Sequence, residues 1–199
     1  MKTSFYIFLI LFSFFINNIL QGEAAFNIIQ ITNNTSNDTL PLISEGRIVW
    51  QANSSPTNRG NIALYKNNFI TGISTTTLDV PLGFEKDYIL WDHLGTNRGL
   101  FLFNGTSTIK ISDNFSEAFP AVLNRGQVAW RGLYDSILFF DGGSTRYIYN
   151  FCCNARNPDI YNGMVVWEQN YSSQILLWDG QSIRNISFSG EVHPNYNPK

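Results

Sequence analysis

Hydrophobic residues in this chain fall into short runs separated by polar turns, and four of these runs end on a tryptophan. They are Arg47-Ile48-Val49-Trp50, Tyr88-Ile89-Leu90-Trp91, Gln127-Val128-Ala129-Trp130 and Met164-Val165-Val166-Trp167. The tryptophans stand 41, 39 and 37 residues apart. A second apolar run follows each of them: Ile62 to Tyr65, Leu100 to Phe103, Ile137 to Phe140 and Ile175 to Trp178. These runs close on Asn67-Asn68, Asn104-Gly105, Asp141-Gly142 and Asp179-Gly180. Pro41, Pro81, Pro120 and Pro158 lie 9 or 10 residues before the tryptophans, and Pro194 falls in step 36 residues after Pro158. Three markers with one period define an internal repeat of roughly 38 residues.

Each repeat predicts four short strands. The first follows the proline, the second ends on the tryptophan, the third is the run before the turn, and the fourth follows the turn. Asn-Gly and Asp-Gly predict two-residue hairpins in which both central residues take φ > 0. In the second strands, Ile48, Ile89, Val128 and Val165 share a face with the tryptophan, while Val49, Leu90, Ala129 and Val166 take the other. A strand apolar on both faces needs a layer above and a layer below. Four-stranded sheets stacked around an axis provide both, so the expected fold is an all-β propeller. The blades fall at approximately 41–74, 81–112, 120–150 and 158–187, and 188–199 starts a truncated fifth. Ile28 to Thr32 aligns with the fourth strand of a further partial blade. Three readings of these ends stay open: a fragment of a larger propeller, a closed four-bladed ring, and closure by self-assembly.

The repeat resembles the TolB-like, WD40-like propeller repeat of exported bacterial proteins. The likeness covers residues 28 to 199. It rests on an acidic residue three before the proline (Asp38, Glu117 and Glu191), the strand ending in an aromatic, the Asp-Gly hairpin and an Ile-Ser strand. Asp79 is one place off this rule and Ala155 breaks it. The resemblance implies a scaffold that binds proteins, and leaves the activity open because one fold serves many functions.

Composition agrees. Aromatics reach 15% and charged residues only 14%, against about a quarter charged in ordinary domains. The 13 basic residues are scattered and the net charge is −2, which gives nucleic acid no basic stripe to bind. Lys2, the apolar stretch Phe5 to Ile16, and Gly22-Glu23-Ala24 predict a signal peptide over 1–24. The repeat domain then spans 25–199, with no membrane insertion after cleavage and a periplasmic or extracellular address. The two cysteines, Cys152 and Cys153, are adjacent, so a vicinal bond and free thiols are both open. Eight Asn-x-Ser/Thr sites, among them Asn104 and Asn185, are glycosylation acceptors if the source is eukaryotic.

Candidate chemistry is sparse. His93 and His193 are the only histidines, no Gly-x-Ser-x-Gly elbow occurs, and no His/Cys/carboxylate set has metal-ligand spacing. We therefore expect no catalytic residues, no metal and no cofactor. The residues after the tryptophans vary while their frame repeats: Gln51, Asp92 with His93, Arg131 and Glu168. As loop residues on one propeller face they are the candidate binding positions. The expected partner is a protein. The alternatives are a lectin-like carbohydrate binder and the propeller part of a larger hydrolase.

Overall fold

The computed structural model describes residues 27–54, 60–112, 120–150, 154–170 and 173–187. The expected signal peptide, the Cys152–Cys153 pair and the truncated fifth blade lie outside these residues. Residues 1–33 and 34–199 form separate compact units. In the first, 27–33 form no strand, so the partial leading blade expected at Ile28 to Thr32 is not formed.

The second unit holds four sheets among the described residues, each a four-stranded antiparallel meander. Blade 1 comprises β1 (Asn37–Ser44), β2 (Arg47–Ser54), β3 (Asn61–Lys66) and β4 (Phe69–Gly72). Blade 2 comprises β5 (Asp79–Glu85), β6 (Tyr88–His93), β7 (Gly99–Phe103) and β8 (Thr108–Lys110). Blade 3 comprises β9 (Ala121–Asn124), β10 (Gln127–Arg131), β11 (Ile137–Phe140) and β12 (Thr145–Tyr149). Blade 4 comprises β13 (Ala155–Tyr161), β14 (Met164–Gln169), β15 (Gln174–Trp178) and β16 (Ile183–Asn185). The first strands β1, β5, β9 and β13 touch in succession and form the inner edge. This is the β-propeller arrangement.

Three apolar cores bind the four blades, one between each consecutive pair. Val49 and Ile62 of blade 1 meet Ile89 and Trp91 of blade 2. Leu90 and Leu102 meet Val128 and Trp130. Ala129 and Phe139 meet Val165 and Trp167. The tryptophan faces of blades 2, 3 and 4 thus pack on the opposite face of the blade before each, which explains why the second strands are apolar on both sides. Among the described residues no fourth core joins blade 4 to blade 1.

Two details differ from the sequence reading. Pro41, Pro81 and Pro158 lie inside the first strands, at or within register shifts. The inner edge strand tolerates a missing N–H there, and a bulge takes up the extra residue. The Asn-Gly and Asp-Gly hairpins are also not two-residue turns. Phe103 pairs with Thr108, Phe140 with Thr145 and Trp178 with Ile183, leaving four-residue loops. In each loop one residue has φ > 0: Gly105, Gly142 and Gly180. The leading side chain does the rest: Asp141 Oδ1 accepts from the Gly143 and Ser144 N–H groups at 2.9 Å, and Asn104 and Asp179 act alike. These are Asx-capped loops. Two-residue turns with both φ positive occur instead at Asn67-Asn68, Glu45-Gly46, Arg125-Gly126 and Asn162-Gly163.

The Ile-Ser pairs also have a structural task. The N–H groups of Ile73, Ile111 and Ile186 bond the carbonyls of Ile62, Leu100 and Ile175. The hydroxyls of Ser74, Ser112 and Ser187 accept the N–H groups of the same three residues at 2.8, 2.7 and 3.2 Å. Each serine anchors the start of a third strand.

Candidate functional site

The residues after the tryptophans lie within the second strands, not in the loops beyond them, and most are buried: Gln51, Asp92, His93 and Glu168 are 5%, 1%, 8% and 4% exposed. Gln51 and His93 join one network across blades 1 and 2. Thr39 donates to Gln51 Oε1 at 3.0 Å, and Gln51 Nε2 donates to the Asp79 carbonyl. The Asp79 side chain, fully buried, holds His93 Nδ1 at 2.7 Å and accepts from Thr76 at 2.9 Å. Arg131 and Glu168 bond in their own blades, Arg131 to Asp135 through Nε and Nη2 and Glu168 to Asn157.

Asp79 was not among the sequence candidates, yet a signal for it existed. The sheet register pairs Asp92 with Val80, as it pairs Gln51 with Thr39 and Glu168 with Arg156. Asp79 therefore occupies the slot of Asp38 and Ala155, and only the displaced bulge put it out of step with its proline. In blade 1 that acid accepts the Trp50 indole N–H at 3.1 Å. In blade 4 the slot holds Ala155, and Trp167 Nε1 is buried without a partner.

A carboxylate bonded to imidazole Nδ1 is the arrangement that orients a general base. Here the ring packs edge-on to Phe101 and lies against Gly95, where a Cβ would come within 2.4 Å of Nε2. A cleft of about 270 Å³ adjoins it, lined by Ser74, Thr75, Thr76, Trp91, Asn97 and Phe101 among others. Ser74 already holds the Ile62 N–H. The pair therefore reads as a buried pin between strands and loop.

The larger concavity lies between blades 2 and 3. It encloses about 560 Å³, with Lys110, Trp130, Leu133, Leu138, Phe140 and Tyr147 in its lining. A tight turn, Leu133–Asp135, follows β10 and contributes Leu133 to that lining. Leu133 is 45% exposed and Tyr134 84%. Tyr134 and Asp135 both have φ > 0, at 55° and 60°. Such a turn costs about 1–3 kcal/mol per residue and persists only where its surroundings dictate it. They do: Arg131 grips Asp135, Gly132 N–H bonds the Ser136 carbonyl at 2.9 Å, and Ser136 returns its hydroxyl to the Leu133 carbonyl at 2.8 Å. A Cβ at position 132 would meet Leu138 Cδ1 at 2.2 Å and Ser136 Oγ at 2.8 Å, so a larger residue would have to displace both side chains. The sequence reading selected Arg131 but missed Tyr134, whose exposure depends on this turn.

Three carboxyls are held below the ordinary aspartate range. The N–H groups of Ser144 and Gly143 lower Asp141, and those of Ser182 and Gln181 lower Asp179. At Asp87 desolvation acts upward, but Lys66 and Arg47 together outweigh it. Among the described residues no group of three or more His, Cys, Asp or Glu is placed to hold a metal ion, and no helix is long and apolar enough to cross a membrane.

Known protein-family models and curated proteins include no match to this chain. Solved structures do match. The acylaminoacyl peptidase of Pyrococcus horikoshii superposes with a TM-score of 0.57 at 15% identity, over 75% of this chain and 27% of that one. The computationally designed Ika8 protein gives 0.52 at 14% identity, over 74% and 48%. A nidogen/laminin complex gives 0.43 at 13% identity, over 67% and 55%. The chain thus spans about a quarter to about half of the solved chains it matches. At such identities the first two establish a shared fold. The chain is a β-propeller with four described blades.

Proposed function

We propose that this chain is an exported, non-catalytic propeller that binds a protein partner through the groove between blades 2 and 3. Tyr134 carries the reading. A tyrosine 84% exposed, on a turn held in a costly conformation by Arg131, Gly132 and Ser136, is a rigid amphipathic anchor of the type that dominates protein interfaces. Leu133 of the same turn lines the groove together with Trp130, Leu138 and Phe140, which supply an apolar wall. The resemblance of the repeat to TolB-like propellers and the leader-like pattern of the N-terminus are what favour an exported scaffold. A photo-crosslinking residue at position 134 tests the proposal in extracts of the source. Adducts with one protein, absent when the probe stands at exposed Ile183, are expected. Equal labelling from both positions would remove Tyr134 from any interface.

A carbohydrate ligand is the second reading, favoured by one observation: Tyr134 stands beside Asp135, and an exposed aromatic next to a carboxylate suits a sugar ring. A glycan array probed with the native chain and with Tyr134→Ala separates the two. A signal lost in the variant would transfer the groove to a lectin function.

A further inference from the structure

Each consecutive blade pair repeats a two-part contact at its turn. The last residue of a first strand accepts the N–H of the next blade's turn: Lys86 N–H to Ser44 Oγ at 3.0 Å, Arg125 N–H to Glu85 Oε2, and Asn162 N–H to Asn124 Oδ1 at 2.9 Å. The first residue of a second strand lies over the next residue of that turn. Arg47 is bonded to Asp87, Tyr88 crowds Gly126, and Gln127 lies 3.6 Å from a Cβ built on Gly163.

The fourth member of each series is unmatched. Tyr161 and Met164 hold the clamp positions of blade 4, and they are 61% and 41% exposed. Glu45-Gly46 is the receiving turn of blade 1, and a Cβ on Gly46 would meet nothing within 4 Å. The sheets behind these turns follow suit. Val166 is only partly buried, whereas its counterparts Val49, Leu90 and Ala129 in the three closed contacts are fully buried. On the tryptophan face of blade 1, Ile43 and Ile70 are 73% and 51% exposed. Trp50 itself is buried, so the open area is the half of the face nearest the turn.

We infer that two copies of this chain dock head to tail, the far face of blade 4 on the tryptophan face of blade 1 in the other copy. The open half of the blade 1 face and the far face of blade 4 correspond to the turn-side part of a contact that this chain already makes three times. Met164 then lies on Gly46 of the second copy. Two such contacts close an eight-bladed ring, within the propeller range of about four to eight blades. The contact is heterologous, joining different patches of the two copies, which permits a specific test.

Light scattering on the full chain should give twice the mass of one chain at tens of micromolar. Met164→Asp and Ile43→Asp alter side chains exposed in the single copy, and each alone should yield monomers with native circular dichroism. Mixed in equal amounts they retain one intact pair of faces, and the dimer mass should return. Tyr161→Asp replaces Met164→Asp if that variant unfolds. A native chain that is monomeric would assign the faces to blades outside this sequence and overturn the proposal. So would an open-ended polymer, a dimer indifferent to the variants, or a mixture that stays monomeric.

Discussion

Gly46, Gly126 and Gly163 occupy one turn position with φ of 71°, 78° and 78°, yet they meet different neighbours. Alanine therefore separates backbone strain from inter-blade packing. At all three, a Cβ in the left-handed region costs about 1–2 kcal/mol. At Gly46 nothing lies within 4 Å, and at Gly163 the nearest atoms are the Gln127 amide at 3.6 and 3.7 Å, an ordinary contact. At Gly126 the added carbon would fall 2.5 and 2.6 Å from Tyr88 Cε1 and Cζ. Tyr88 packs against the core between blades 2 and 3 and cannot swing away freely, so overpacking of about 1–3 kcal/mol is added. Gly126→Ala should then lose about 2–5 kcal/mol, and Gly46→Ala and Gly163→Ala about 1–2 each. Urea unfolding in a Met164→Asp background, where self-assembly does not contribute, measures the series. Equal losses at the three positions would refute the packing of Tyr88 on the blade 3 turn.

Acid should destabilise the fold through Asp141 and Asp179, whose lowered folded-state pKa values stabilise the native state above the unfolded carboxylate range and lose that contribution as pH falls through the folded values. Melting temperatures from about pH 5 to 2 should fall less steeply in Asp141→Asn/Asp179→Asn, because asparagine keeps the cap, as Asn104 does natively. His93→Ala leaves the buried Asp79 carboxyl with Thr76 alone and should lose about 3 kcal/mol in urea unfolding; adding Asp79→Asn should recover part of it, and no recovery would mean that the loss is packing. Asp38→Ala removes the acceptor of the buried Trp50 indole and should lose about 1–3 kcal/mol, while Asp38→Asn, which keeps an oxygen, should lose less; equal losses would take the bond out of the balance.

The repeat was legible because three markers with separate physical causes share its period. Trp91, Trp130 and Trp167 fill the inter-blade cores, the prolines sit in or beside the inner-edge first strands, and the asparagine and aspartate turns close the hairpins. What misled was local backbone geometry. Asp141-Gly142 has the composition of a two-residue turn, but its side chain captures two N–H groups and stretches the loop to four residues. Counting from Pro81 displaces Asp79, because the bulge of blade 2 lies on the other side of its proline. The candidate residues suffered for the same reason: whether the position after a tryptophan is loop or buried strand depends on where each second strand ends, and β6 runs on through His93. Arg131 was legible as a polar variable, whereas the exposure of Tyr134 needs a left-handed pair that no residue type announces.

Blade 4 shows how a repeat can drift at one position while its partner stays. Ala155 replaces the acid that Asp38 and Asp79 supply in the same register, and the Trp167 indole remains, buried and without an acceptor. An orphaned donor of this kind costs about 1–3 kcal/mol, yet the tryptophan is fully buried in the core between blades 3 and 4. Burying an indole of that size contributes at least as much as the lost hydrogen bond. Packing between blades 3 and 4 thus outweighs the lost bond within blade 4, and the tryptophan stays where the acid has gone. By the same reasoning, the apolar faces left open on blades 1 and 4 have the greater need of a partner.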